Sequence, residues 1–346
     1  MNDGAIQKSR MRLEIDEIPA AVKRLLSKGA TTATAIAARI RDVDPVFVAT
    51  IARGSSDHAC GFLKYAIELE TGLPVASLGP SVASVYGRQM RMARSLTIAV
   101  SQSGKSPDIV AMADNAKRGG SLVVALTNNA ESPLAASSDF PMDICAGPEL
   151  SVAATKSFVN SAVAGLMILA GWTGNVPLRQ ALASLPDALE KAVSCDWTAL
   201  LGALEGKSSL YILGRGPALP IAAEAALKFK ETSGMHAEAY SAAEVLHGPV
   251  SIVGSGFPVL AFSLPDQSEP HVLEVCRKIA GQGASVFIAG AAIEGATSLP
   301  IVSTGHALTD TLTRIASFYG LVETLSRHRG LNPDQPRHLR KVTETI

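Results

Sequence analysis

Six consecutive residues, Ser101-Gln102-Ser103-Gly104-Lys105-Ser106, place three hydroxyls, an amide and a glycine on one short stretch. They follow an apolar run, residues 95–100, and precede a helical stretch. A strand-to-helix junction of this kind presents free backbone N–H groups and the positive end of a helix dipole. With the hydroxyls as neutral donors it suits a phosphate dianion, with no P-loop and no magnesium. The same residues also serve an ordinary serine N-cap. Arg53-Gly54-Ser55-Ser56 occupies an equivalent junction after the apolar run 46–52. In an open α/β sheet, neighbouring loops at the carboxyl edge form the ligand crevice, and a glycine-turn cap is the plainer alternative.

Two further pairs carry acid–base chemistry. Lys228 and Glu231 are three residues apart near the end of a long helix and share a face. On a surface they make a trivial ion pair. In a crevice, Glu231 is a general base whose charge Lys228 holds. Glu244 and His247 have the same spacing, just before Gly248-Pro249. His247 reads as a satisfied loop residue or as a second acid–base group that titrates near neutrality. His236 and Glu238 read as structural. Composition gives Lys341, in the polar tail, no role of its own.

The elements around these residues alternate short apolar runs with alanine-rich helical stretches. Runs at 46–52, 95–100, 122–126, 142–145, 209–213, 259–263 and 285–289 read as strands, with helices between them and a final helix over 309–329. Near-continuous apolar strands with helical crossovers predict an α/β fold with parallel sheets buried on both faces. The pattern occurs twice. Arg215 and Gly216 follow Arg53 and Gly54 by 162 residues, and Ser263 follows Ser101 by the same 162. A duplicated unit is the expectation. Gly174, Asn175, Pro177 and Pro186 mark a linker over 173–196, and the segment after Gly330 reads as an extended arm.

The chain has 346 residues, enough for two domains. Its 31 basic and 31 acidic residues cancel, so no general field draws nucleic acid or anionic membrane. A bound anion needs a local site. Four separated cysteines without a C-x-x-C pair argue against disulfides or a zinc site. The longest apolar run, 162–172, is about half of the roughly 20 residues of a membrane span. The polar opening shows no signal peptide, which points to the cytoplasm.

Five stretches resemble one family: 53–58, 101–106, 146–158, 213–249 and 334–341. GRG…EAALKFKE…HAEAY…E-x-x-HGP, followed by a terminal DQPR…K, is similar to the isomerase half of glucosamine-6-phosphate synthase. It is also similar to the glucosamine-6-phosphate deaminases built on the same sugar-isomerase (SIS) domains. The resemblance implies two tandem SIS domains, each a flavodoxin-like parallel sheet flanked by helices. The expected organisation is a helical segment 1–35, domains at 36–180 and 197–330, and a tail 331–346 over the active site.

The resemblance also implies roles. Ser101, Gln102, Ser103 and Ser106 hold the phosphate, and Gly54, Ser55 and Ser56 line the sugar site. Val152 and Ala154 pack near the sugar. Glu231 shuttles a proton between C1 and C2, with Lys228 beside it. His247 opens the ring from a neighbouring subunit, so a homodimer with shared sites is implied, and Lys341 forms a Schiff base. No cofactor and no metal is called for.

Three departures refine the expectation. The first strand begins near residue 46, which leaves no room for a glutaminase domain, so ammonia is not expected to come from glutamine. Arg53-Gly54-Ser55-Ser56 and Lys105 replace the synthase's Cys-Gly-Thr-Ser and its acid. Leu246 replaces a lysine. These forms look more like the catabolic deaminases. The expected activity converts glucosamine 6-phosphate to fructose 6-phosphate and ammonia. The alternatives are an isomerising aminotransferase without a glutaminase, a fructosamine-phosphate deglycase, and a non-catalytic sensor.

Overall fold

The computed structural model describes residues 8–341. Three helices, Arg10–Asp16, Ile18–Lys28 and Ala30–Val43, lead into the first sheet. Its strands are β1 (Phe47–Ile51), β2 (Val75–Ser77), β3 (Ser95–Ser101), β4 (Ser121–Thr127) and β5 (Phe140–Asp143). They run parallel in the order β2-β1-β3-β4-β5. Every residue of β3 and β4 is buried, as strands covered by helices on both faces must be.

The second sheet contains β6 (Ser209–Gly214), β7 (His236–Ser241), β8 (Pro258–Phe262), β9 (Ser285–Ala289) and β10 (Ala296–Ser298). Its order is β10-β9-β8-β6-β7, again parallel. Read from β7, this is the connectivity of the first sheet, strand for strand. The duplication expected from the 162-residue spacing is therefore present in topology.

The segment 173–196, read as a linker with a broken pattern, is not irregular. It carries a helix, Val176–Ala192. Asn175 caps it by accepting from Leu178 N at 2.9 Å. Pro177 lies in the first turn, where no N–H is needed, and only Pro186 interrupts the interior ladder. Signals that end a helix in isolation here start one and interrupt its ladder once.

Two helices position the chemistry. Gly54–Thr71 follows β1 and Ala218–Ser233 follows β6, and they pack on each other between the sheets. At the crossing a Cβ on Gly61 would meet Pro220 at 3.3 Å, so a larger residue at 61 forces the helices apart. The final helix, Ala307–His328, packs against Ala218–Ser233 on its other side. The result is a chain of buried polar groups that joins the two domains. Among the described residues, no helix is long and apolar enough to cross a membrane.

Candidate active site

β1 pairs with β3 so that Ile51 lies opposite Ala99. Register alone thus delivers the loops that follow them, 53–56 and 101–106, to one edge of the sheet. Gly54 takes φ +55° and Gly104 takes φ +62°, both in the left-handed region. At Gly104 a Cβ would lie 2.2 Å from Ser132 Oγ, so glycine is required for space as well as for backbone.

Within the loop, Ser101 Oγ accepts from Gly104 N at 3.1 Å and Ser103 Oγ accepts from Lys105 N at 3.3 Å. Ser106 is the N-cap of helix Pro107–Arg118, and its side chain makes no capping bond. Its hydroxyl therefore remains available at a helix N-terminus.

A cleft of about 180 Å³ opens beside these loops. Ser55, Ser56, Gln102, Val152, Ala154, Glu231 and Lys341 line it, so most of the residues picked out in the sequence meet there. Ser101, Ser103, Ser106 and Gly54 shape the adjoining loops. The tail arrives over the same cleft with Leu339 and Arg340.

The floor is a buried ion network. Lys228, fully buried, donates to Glu231 Oε2 at 2.5 Å and to Ser55 Oγ at 3.0 Å. It also pairs with Glu224 Oε1 at 3.3 Å. Glu224 in turn meets His58 Nδ1 at 2.9 Å and accepts from Tyr319 OH at 3.2 Å. Burial disfavours the Lys228 ammonium, but Glu224 and Glu231 outweigh it and hold its pKa above the usual lysine value. The ammonium therefore persists through the neutral range beside Glu231. Burial and the carboxylate of Glu224 push the Tyr319 hydroxyl well above the ordinary tyrosine range, so it stays a donor.

The opposite wall is the loop that holds Lys341. The Lys341 ammonium donates to Ser151 O at 2.6 Å and to Glu149 Oε2 at 3.2 Å. Glu149 also accepts from Thr155 N at 3.0 Å, Ser157 N at 3.1 Å and Ser157 Oγ at 2.5 Å. Burial raises its pKa, but Lys341 and these donors lower it further, and the carboxyl stays below the usual range. Glu14, on the N-terminal helix, accepts from Leu150 N and Ser151 N and fixes the loop from behind. At the other end of that helix, Asp334 of the tail accepts from Arg10 N at 2.9 Å and Met11 N at 2.8 Å.

His247 is not brought to the cleft within one chain. It lies exposed at the end of the short turn Glu244–Leu246, and its backbone N–H donates to Glu244 O at 2.9 Å. His236 bonds Ser209 Oγ at 2.9 Å, in line with its structural reading. The sequence reading missed Glu224, His58, Tyr319, Glu149 and Asp108. A signal existed for Glu224, which stands four residues before Lys228 on the same helix face. The others are distant in sequence from the charged partners that matter here: His58 and Tyr319 from Glu224, Glu149 from Lys341, and Asp108 from Arg53. All four cysteines are unpaired, and no cluster of three or more potential ligands is placed to hold a metal among the described residues.

The SIS domain family matches residues 44–170 and 203–309. The chain belongs to the SIS domain family, the family of the phosphosugar isomerases. A Silicibacter pomeroyi protein assigned to the phosphosugar isomerases shares 58% identity. It covers 94% of this chain and 100% of its own, at TM-score 0.92. The glutamine–fructose-6-phosphate aminotransferase (isomerizing) of Sulfurisphaera tokodaii is 33% identical over 95% of this chain. This chain spans only 55% of that relative's length. The glucosamine-6-phosphate deaminase of Thermotoga maritima, 20% identical, covers 97% of this chain and 100% of its own at TM-score 0.78, a likeness of fold.

Proposed function

We propose that the protein is an amino-sugar-phosphate deaminase that converts glucosamine 6-phosphate to fructose 6-phosphate and ammonia. The observation that carries this reading is the placement of Glu231 in the cleft, with its carboxylate held by a buried Lys228. A carboxylate held in place by a fixed cation removes a proton from a carbon acid and returns it to the neighbouring carbon without leaving its seat.

With the open-chain aldehyde bound by its phosphate at 101–106, Glu231 takes the C2 proton and delivers it to C1. The intermediate is an enolamine, and the product of this step is the C2 imine. Water adds to C2, the C–N bond breaks, and ammonia leaves a ketone. Lys341 reaches C2 from the opposite wall once it releases Ser151 O and Glu149, and can carry C2 as an iminium during the exchange. His247 opens the ring from a second copy of the chain, which makes a homodimer part of the proposal. Its exposure and its absence from its own cleft support that assignment.

The 33% identity with isomerising aminotransferases over 95% of this chain favours one second reading, in which the same site runs toward amination. Ammonia release from glucosamine 6-phosphate, coupled to fructose 6-phosphate detection, tests the first reading. Incubation of fructose 6-phosphate with ammonium tests the second. In either direction E231Q is expected to lower turnover by roughly two to four powers of ten with binding retained. Near-normal turnover by that variant removes Glu231 from the mechanism.

A further inference from the structure

The loop 101–106 contains a charge problem. Helix Pro107–Arg118 carries Asp108 in its first turn, 1% exposed. Its Oδ1 accepts from Ile109 N at 2.9 Å. A buried carboxylate there repels any second anion and uses part of the helix's positive end. A phosphate is held at this junction only if something cancels Asp108.

Arg53 does so. Its Nε and Nη2 both donate to Asp108 Oδ2 at 3.0 Å. The side chain is 53% exposed and lines the cleft beside Gln102, Ser55 and Ser56. One edge of the guanidinium is therefore fixed to the buried acid. Nη1, on the other edge, makes no hydrogen bond among the described residues. A guanidinium held by one edge offers the other to an oxyanion at little further cost in side-chain ordering. The second domain shows what happens without the acid. Arg215 stands 162 residues after Arg53, but Pro270 stands where Asp108 would fall. No side-chain hydrogen bond or ion pair fixes Arg215 among the described residues.

We propose that Arg53 is the charged ligand of the substrate phosphate, and that buried Asp108 is the positioning residue that presents it. The neutral hydroxyls of the serine loop then supply geometry, and Arg53 supplies discrimination for a phosphorylated over an unphosphorylated sugar. This rests on the reading of the cleft as a phosphosugar site, but not on the direction or kind of chemistry performed there.

The test is calorimetric titration of the full chain with fructose 6-phosphate, fructose and inorganic phosphate, in wild type, R53M, R53K and D108N, with Tm recorded for each. R53M is expected to weaken fructose 6-phosphate and phosphate by roughly 10- to 100-fold, the loss of one charge-assisted contact. R53K, which keeps the charge without the fork, is expected to fall between. D108N is expected to weaken phosphate several-fold although it removes a negative charge. Simple electrostatics predicts the opposite sign for that variant. Unchanged phosphate affinity in a folded R53M, with only Tm lowered, makes Arg53 a staple between two loops and overturns the proposal. Tighter phosphate binding by D108N overturns the role of Asp108. Failure of wild type to bind either phosphate compound overturns this proposal and the phosphosugar reading together.

Discussion

The two domains share one connectivity, and their equivalent loops carry different side chains. After β3 the first domain has Ser-Gln-Ser-Gly-Lys-Ser. After β8, the second has Ser263-Leu264-Pro265-Asp266-Gln267-Ser268. Leu264 replaces an amide that lines the cleft, and Asp266 falls where Gly104 makes the close approach to Ser132. Asp266 closes the loop on itself by accepting from Ser268 N at 2.8 Å and Ser268 Oγ at 2.6 Å. Glu269 then opens the helix Glu269–Gly281. The second loop is thus already satisfied by its own acids, and a phosphate there meets two carboxylates. The first loop turns two of its N–H groups onto its own Ser101 and Ser103 hydroxyls, holds no acid within 101–106, and leaves Ser106 Oγ without a capping bond. The same backbone is left open or closed as a cap according to which side chains answer the helix N-terminus, and the open loop is the one proposed to hold phosphate. The second domain's contribution instead comes from its helix Ala218–Ser233, which supplies Glu224, Lys228 and Glu231.

The comparison can be broken most severely at Lys228. Lys228→Met leaves Glu224 and Glu231 facing each other in a buried site, and the stability loss is expected to be roughly 3–5 kcal/mol. Chemical denaturation measures it, and a loss under about 1 kcal/mol contradicts the buried network. Gly104→Ala is the next largest. It puts a Cβ into Ser132 and strains a left-handed backbone, so phosphosugar affinity is expected to fall by about 10-fold or more. Ser268→Ala, the control in the second domain, is expected to leave affinity within about 2-fold by titration, as for an ordinary surface change.

Asp334→Ala removes an acceptor from two backbone N–H groups, and Lys341 follows only seven residues later. It is expected to raise proteolysis of the tail and lower kcat several-fold with the stability cost of a lost cap, about 1 kcal/mol.

The smallest effect is acid release of the tail. Glu149 has a depressed pKa, so it contributes stability above the ordinary carboxylate pKa and loses it as pH falls through its lower, folded value. Tail protection against protease should thus hold from neutrality to below pH 4.5, the unshifted glutamate value, and fail only beneath it.

What was legible in the sequence follows from which forces act locally. β3 and β4 announced themselves because strands buried on both faces must be apolar throughout. Three of the four edge strands, β2, β7 and β10, did not, whereas β5 was read within about two residues of its place. β7, HAEAYS, keeps only Ala237 fully buried, and the three-residue β2 and β10 each expose two residues. The serine loop was legible because its chemistry lies in consecutive residues. The partners of Lys341 were not, since Glu149 is 192 residues away and sits in a loop shaped by Glu14 from the chain's other end. Asp108 lies two residues beyond the serine loop, and its pairing with Arg53 depends on the β1–β3 register, which no local pattern encodes.

The contact between Asp334 and the backbone of Arg10 and Met11 spans 324 residues of chain. Loop closure of that length is entropically unfavourable until the intervening domains have collapsed. Docking of the tail therefore belongs to the end of folding, after both sheets have formed. A refolding experiment should show native far-ultraviolet circular dichroism before Lys341 is seated, and the gain of activity should lag behind the gain of secondary structure. On the proposed role of Lys341, competence would then wait on the meeting of Asp334 with the first turn of helix Arg10–Asp16.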